Sequence, residues 1–392
     1  MPFLSIIIPT KNRQYTCLFA IESALRLNRD DVEIIVQDCS DTDVLKKQIL
    51  EKFGTASNIK YFHSADNPSM TENWNRAFDN ATGEYQCAIG DDDAVLPELY
   101  EAARWAKANA MDAIAHTGDS AAYSYKWPDF GDEELRGKLV ILHPFDGKVE
   151  ERSTKKVIDS IIDRVDLSYS SLPMAYHCLI SKALLDRVRT ATGKLLDGTS
   201  LDVYSAYVFS LLIDKFVFVN YPLTIYGACG KSNTNRLSRG NAKAHFNEFK
   251  TLRFPAIIPR VFNMQTTVAE SMHCAFTTMK RQDLIERINL PYLYAYSAAE
   301  GVQELKATLR CMLANKVKLN VWARFAKTFS IKMAKNFVRF CMGNAWADKQ
   351  YRNKQQVLVP CNNILEVIEY HKTHNQVKIF QGKQEIPASH LS

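Results

Sequence analysis

Phe3-Leu4-Ser5-Ile6-Ile7-Ile8, closed by Pro9, is a short apolar run with almost no polar alternation. That pattern predicts a strand buried on both faces. Working outward, Leu18, Ile21 and Leu25 recur at helical spacing, and Val32-Glu33-Ile34-Ile35-Val36 is a second strand-like run ending at Asp38. Val44, Leu45, Ile49, Leu50 and Phe53 predict another helix, and Ile59 to Phe62 a third strand. Ser69 and Glu72 have capping-box spacing, and the helix they open presents Trp74, Ala77, Phe78 and Ala81 on one face, with Gly83 placed as its C-terminal cap. Glu84 to Ile89 reads as a strand running into Gly90-Asp91-Asp92-Asp93. Pro97 opens the next helix, and Ala113 to His116 is one more strand. Strand and helix in alternation with short links imply βαβ units, an α/β fold whose mostly parallel sheet is flanked by helices. Parallel strands point one way, so Pro9-Thr10, Asp38 and the three aspartates should share the carboxyl edge, where open α/β sheets bind ligands.

The chain has 392 residues, 46% hydrophobic and 23% charged, with 15 Gly and 13 Pro, which excludes disordered and collagenous classes. Nine scattered cysteines without Cys-x-x-Cys pairs argue for free thiols in a reducing compartment. No apolar run approaches the roughly 18–20 residues that span a bilayer, and Met1 to Pro9 has no basic leader, so a cytoplasmic protein is expected. Three regions are expected: 1–116, carrying the alternation; 117–240, with Asp119 to Asp146 loop-like, Asp202 to Ile213 helical and short strands at Phe216 to Val219 and Leu223 to Tyr226; and a mainly helical 241–392.

Three adjacent carboxylates at a strand end repel one another unless a cation relieves them. A divalent metal with oxygen ligands, Mg²⁺ or Mn²⁺ bridging a diphosphate, suits that turn; a solvated turn capping the helix at Pro97 is the alternative. Ile6-Ile7-Ile8-Pro9-Thr10-Lys11-Asn12-Arg13, Val32 to Asp41, and Ala81-Thr82-Gly83-Glu84-Tyr85 followed by Gly90-Asp91-Asp92-Asp93 and Pro97 together resemble the family-2 glycosyltransferases of GT-A fold. The resemblance covers residues 3–97 and implies an inverting transfer from a nucleotide-sugar, typically a UDP-sugar, to a glycan or lipid-linked acceptor in cell-surface polysaccharide synthesis. It implies that Asp38 meets the nucleobase and that Pro9 and Thr10 lie against the nucleotide. Asp92 and Asp93 would hold the metal, with Asp91 beside them. Two departures stand out: Gln37-Asp38 replaces a pair of acids, and Gly90 replaces the first acid of the Asp-x-Asp string. Asn73 lies where the family places donor-contacting residues; a surface helix position is the other reading.

Inversion needs a general base, which the family places about a hundred residues beyond the metal motif at a helix start. Asp202 fits, with Asp197 as runner-up; a plain helix cap is the rival reading. A helix N-terminus would favour the ionised base. Lys231, with Arg236 and Arg239, forms a basic loop able to close on a diphosphate, or a solvated linker. Gly230-Lys231-Ser232 imitates a Walker A ending, but Ile225 stands where its first glycine is required.

The net charge of +6 is concentrated: Glu300 to Lys354 holds twelve Lys/Arg against three acids. Within it, Trp322, Phe325, Phe329, Met333, Phe337 and Phe340 form one helical stripe, with Arg324, Lys327, Lys332, Lys335 and Arg339 on the other side. Residues 320–342 could rest on an anionic membrane or pack the stripe onto the rest of the protein. Nucleic acid is not expected, since no recognised module accompanies the charge. A nucleotidyltransferase on a related fold would need a glycine-rich loop after the first strand, and Pro9 to Arg13 has no glycine. A non-catalytic glycan-binding or scaffold protein would not need acids at 38, 92, 93 and 202.

Overall fold

The computed structural model describes residues 1–116, 123–142, 144–231, 254–342 and 357–380. The alternation is present as β1 (Leu4–Thr10), α1 (Gln14–Leu25), β2 (Val32–Asp38), α2 (Val44–Phe53), β3 (Ile59–His63), α3 (Met70–Asp79), β4 (Tyr85–Ala88), β5 (Ala94–Val95), α4 (Glu98–Ala108) and β6 (Ala113–His116). Then follow β7 (Tyr123–Lys126), β8 (Lys138–Ile141), β9 (Val149–Ser153), α5 (Thr154–Ile161), β10 (Leu179–Ser181), α6 (Lys182–Thr192), α7 (Leu201–Ser210), β11 (Lys215–Val219) and β12 (Thr224–Ala228). The remainder is helical, α8 (Met264–Thr278), α9 (Gln282–Ile285), α10 (Leu290–Ala298), α11 (Val302–Ala314) and α12 (Leu319–Met342), until β13 (Val357–Pro360) and α13 (Ile364–His374).

The main sheet runs β3-β2-β1-β4-β10-β6-β11-β9. Its strands are parallel except β10 and β9, which pair antiparallel to their neighbours. Strand residues alternate between faces: Ile6 and Ile8 join the helices α1, α2 and α4, while Ile7 joins α3, α5–α7 and the helices of 264–325. All three isoleucines are wholly buried, each contributing about 1.5–3 kcal/mol. The register places Thr10 opposite Asp38, so the expected acidic edge exists.

A smaller sheet, β13-β8-β7-β12-β5, lies partly inside the stretch expected to be loop. Its strands β7 and β8 are four residues long, too short for a periodicity to register, and their partners come from Val357–Pro360 and Thr224–Ala228. Gly83 also departs from expectation. Asn80 is the C-cap of α3, and Gly83 is needed because a Cβ there would press on Ser5 of β1. Its N–H donates to Ser5 Oγ and to the buried Glu33, which also takes Lys60 and Thr82 and so ties the 81–83 turn to β2. The capping box of Ser69 and Glu72 is formed. The expected boundary at residue 240, with Arg236 and Arg239, lies outside the described residues.

Candidate active site

The carboxyl ends of β1 and β4 open into a cleft of about 1830 Å³. Of the anticipated residues, Pro9, Thr10, Asn73, Asp92, Asp202 and Lys231 line it; Asp38, Asp91 and Asp93 do not reach its wall.

Asp91 and Asp92 are buried and share one cation. Arg13 of the β1–α1 loop, a residue quoted in the motif above but given no role there, lies 2.8 Å from Asp91 and 3.5 Å from Asp92. Thr10 Oγ1 donates to Asp91 at 2.6 Å, and the Cys229 N–H to Asp92 at 3.1 Å. Burial pushes both carboxyls above their ordinary range, more than Arg13 lowers them. Burial opposes the charge on Arg13 as well, but the two aspartates outweigh it and hold the guanidinium protonated.

Asp93, expected beside Asp92 as a metal ligand, has both oxygens engaged instead. Oδ2 accepts from the Gly90 N–H at 2.6 Å and the Tyr176 hydroxyl at 2.7 Å, with His177 Nε2 at 3.2 Å, and Oδ1 accepts from the Gly227 N–H at 2.7 Å. Burial alone would raise its carboxyl; His177, Tyr176 and Gly227 outweigh it and hold it low. Asp93 therefore braces the turn. His177, with φ at 64°, stacks on Tyr226 and reaches Thr224 Oγ1 at 2.7 Å. Nothing in the local sequence marks that network, because its members come from three separated stretches.

Asp38 accepts from the Ser40 N–H and the Tyr61 hydroxyl, each at 2.8 Å. Asn73 presents the cleft with a different opening. Its amide nitrogen donates weakly to the Thr10 and Gln37 carbonyls, while its buried Oδ1 has no hydrogen-bond partner among the described residues. An unmet buried acceptor costs about 1–3 kcal/mol, so Oδ1 is suited to a ligand N–H.

Asp202 stands in the first turn of α7, and the N-cap is Ser200, so its role is not capping. Two elements fix the approach to this turn. Asn75 of α3 exchanges a pair of 2.9 Å hydrogen bonds with the Leu196 backbone, and Glu270 of α8 accepts from the Thr199 N–H at 2.8 Å and hydroxyl at 2.7 Å. Burial, then the charge of Asp93, pushes the Asp202 carboxyl up to about 7. The helix end was expected to favour ionisation, but it contributes only about 0.3–1 kcal/mol against roughly 4 kcal/mol of opposing effects, so burial wins. Asp197, the runner-up, is paired with Lys194 at 2.7 Å.

The cleft's other wall comes from the mainly helical C-terminal region, which sequence reading did not bring to the site: Arg260 before α8, Tyr296 of α10, Glu300 after it and Lys332 of α12 all line it. Among the described residues no group of three or more acidic, histidine or cysteine side chains could hold a metal by itself. The donor set still fits Mg²⁺ or Mn²⁺ bound jointly with a substrate, because Asp91 and Asp92 share a single guanidinium and Asp92 faces the cleft. Mg²⁺ characteristically takes one or two carboxylates plus phosphate oxygens.

Residues 5–142 match the family model for glycosyl transferase family 2. The GalNAc(5)-diNAcBac-PP-undecaprenol beta-1,3-glucosyltransferase of Campylobacter jejuni is 28% identical over 48% of this chain and 55% of its own. The putative colanic acid biosynthesis glycosyl transferase WcaA of Escherichia coli is 39% identical over 24% of this chain and 34% of its own. The chain thus spans about half the length of the first of these relatives and a third of the second. The crystal structure of S. aureus TarS 1-349 with UDP-GlcNAc overlays with a TM-score of 0.44 at 16% identity, covering 83% of this chain and 79% of that one, too loosely for any TarS residue to stand for one here. The strand-end acids of β2 and β4 and the end of β1 all lie within residues 5–142, the stretch that matches the glycosyl transferase family 2 model.

Proposed function

We propose that this protein transfers a sugar, with inversion, from a UDP-sugar to a lipid-linked glycan at the cytoplasmic face of a membrane, in cell-surface polysaccharide synthesis, with Mn²⁺ or Mg²⁺ bound at Asp92. The observation that carries the reading is that Asp92 and Asp202 line one cleft, Asp92 beside the β1–α1 loop and Asp202 with a carboxyl held near 7. A base poised close to neutral pH gives the best compromise between being ionised and being able to take a proton.

Thr10 and Asn73 lie where they can meet the nucleoside, Asn73 offering its open Oδ1 to a base N–H. Asp202 takes the proton of the acceptor hydroxyl as that oxygen bonds to the anomeric carbon and the bond from carbon to the diphosphate oxygen breaks on the opposite face. Lys231, exposed on the cleft rim, is placed to meet the departing diphosphate. A divalent cation, when bound, supplies neutralisation of the charge that develops there. The name of the Campylobacter jejuni relative, acting on an undecaprenol diphosphate glycan, supports the acceptor class.

Calorimetry of UDP with and without Mn²⁺ tests the reading. Metal-dependent binding is expected; the absence of any nucleoside diphosphate binding would overturn it.

A further inference from the structure

The apolar stripe of α12 is buried for only half its length. Phe325 is 6% exposed, and it packs with Trp322 and Phe329 into the main core. One turn on, Lys332 reaches the cleft, its Nζ 4.5 Å from the centre of the Tyr296 ring. Past it the stripe runs into solvent: Met333 is 44% exposed, Phe337 68% and Phe340 85%. At about 100° per residue these three fall within an arc of roughly 60° that continues the buried stripe. Aromatic residues so placed gain nothing from the protein's own core. From Leu305 to Ala347 there are nine Lys/Arg and no acid; at the same angular step Lys327 and Arg339 lie to either side of the exposed stripe, toward the helix's other face, and Lys335 lies opposite it. No helix among the described residues is long and apolar enough to cross a membrane.

We propose that the last three turns of α12 dock the protein on an anionic lipid bilayer. Phe337 and Phe340 enter the boundary between headgroups and acyl chains, Arg339 at the side of the stripe reaches toward the headgroups, and the positive charge of the rest of the helix adds long-range attraction to them. This deepens the function proposed above and rests on it in one respect: Lys332, on the same helix, joins the docking face to the cleft, so a lipid-linked acceptor reaches Asp202 from the bilayer plane. An apolar stripe on a helix that carries positive charge and no acid matches an anionic interface better than a second copy of this chain, whose α12 would bring the same positive charge.

Flotation of the full chain with phosphatidylglycerol–phosphatidylcholine vesicles, against pure phosphatidylcholine, is the test. Binding to the anionic vesicles is expected at low salt, weaker at high salt, and reduced at least tenfold by Phe337→Ser with Phe340→Ser. Both side chains already face water, so the double variant should keep its melting temperature. Equal flotation of variant and native chains, or none by either, would overturn the proposal. So would a native dimer in light scattering that the double variant dissolves into monomers. Flotation requires no catalysis: unchanged UDP binding alongside failed flotation strikes only the docking surface, and failed UDP binding alongside normal flotation strikes only the enzymatic reading.

Discussion

Asp202→Asn separates the cost of a desolvated carboxylate from its use. The carboxyl sits at about 7, against 3.8 for an ordinary aspartate. Because its folded value is raised, its linked stabilisation is fully present below pH 3.8 and is lost as pH climbs through 7. Relative to an ordinary aspartate, it then costs about 4 kcal/mol of stability at pH 8, where the folded carboxyl is ionised, and about 2 kcal/mol at pH 5, where folding must protonate it. Asparagine has the same shape and no titration, and among the described residues the Asp202 side chain has no hydrogen bond that the change would break. The variant should therefore be more stable than the native chain at pH 8, by up to about 4 kcal/mol, with the advantage shrinking by roughly half at pH 5. Urea denaturation at the two pH values reads this directly. Turnover should fall by about 10²–10⁴ with donor affinity unchanged, because a general base is lost and no donor contact is. In the native enzyme kcat/KM should climb with pH through about 7 and then level off as the base becomes fully ionised. Equal stability of variant and native chains at both pH values would refute the desolvation argument. Retained turnover would remove Asp202 as the base.

Asp92→Ala should abolish Mn²⁺-dependent UDP binding in calorimetry; binding at native strength would show that the metal is held elsewhere. Asn73→Ala should weaken nucleotide binding about tenfold, the equivalent of one hydrogen bond, with little change in melting temperature. Unchanged affinity would mean that Oδ1 does not serve the base. Gly227→Ala should be destabilising by more than about 3 kcal/mol, because a Cβ there would overlap the Asp92 carbonyl; a soluble variant of native stability would contradict the packing of β12 on the acidic turn. Trp127→Phe leaves that same buried carbonyl without its 2.9 Å indole donor and should cost about 1–3 kcal/mol by urea denaturation.

The difference between what was legible and what was not follows from where each residue's partners lie. β1, β2 and β4 are buried on both faces, so their apolar runs declare themselves locally, and parallel order alone brings Thr10, Asp38 and Asp91 to one edge. Which acid faces the ligand is a different question. Asp92 and Asp93 are adjacent and chemically identical, and only contacts with Tyr176, His177 and Gly227, all more than eighty residues away, turn Asp93 inward. The same holds for α12. Its stripe is uniform in sequence, yet half of it is covered, because the cover comes from α10 and the core that α8 and α7 build, and that cover ends near Lys332. Periodicity reports that a face is apolar, and only the fold reports what covers it. A site assembled from a strand-end motif and distant braces is therefore readable in its acids and silent in what aims them, so the variants that discriminate best are Gly227→Ala and Asp202→Asn rather than further changes within the motif.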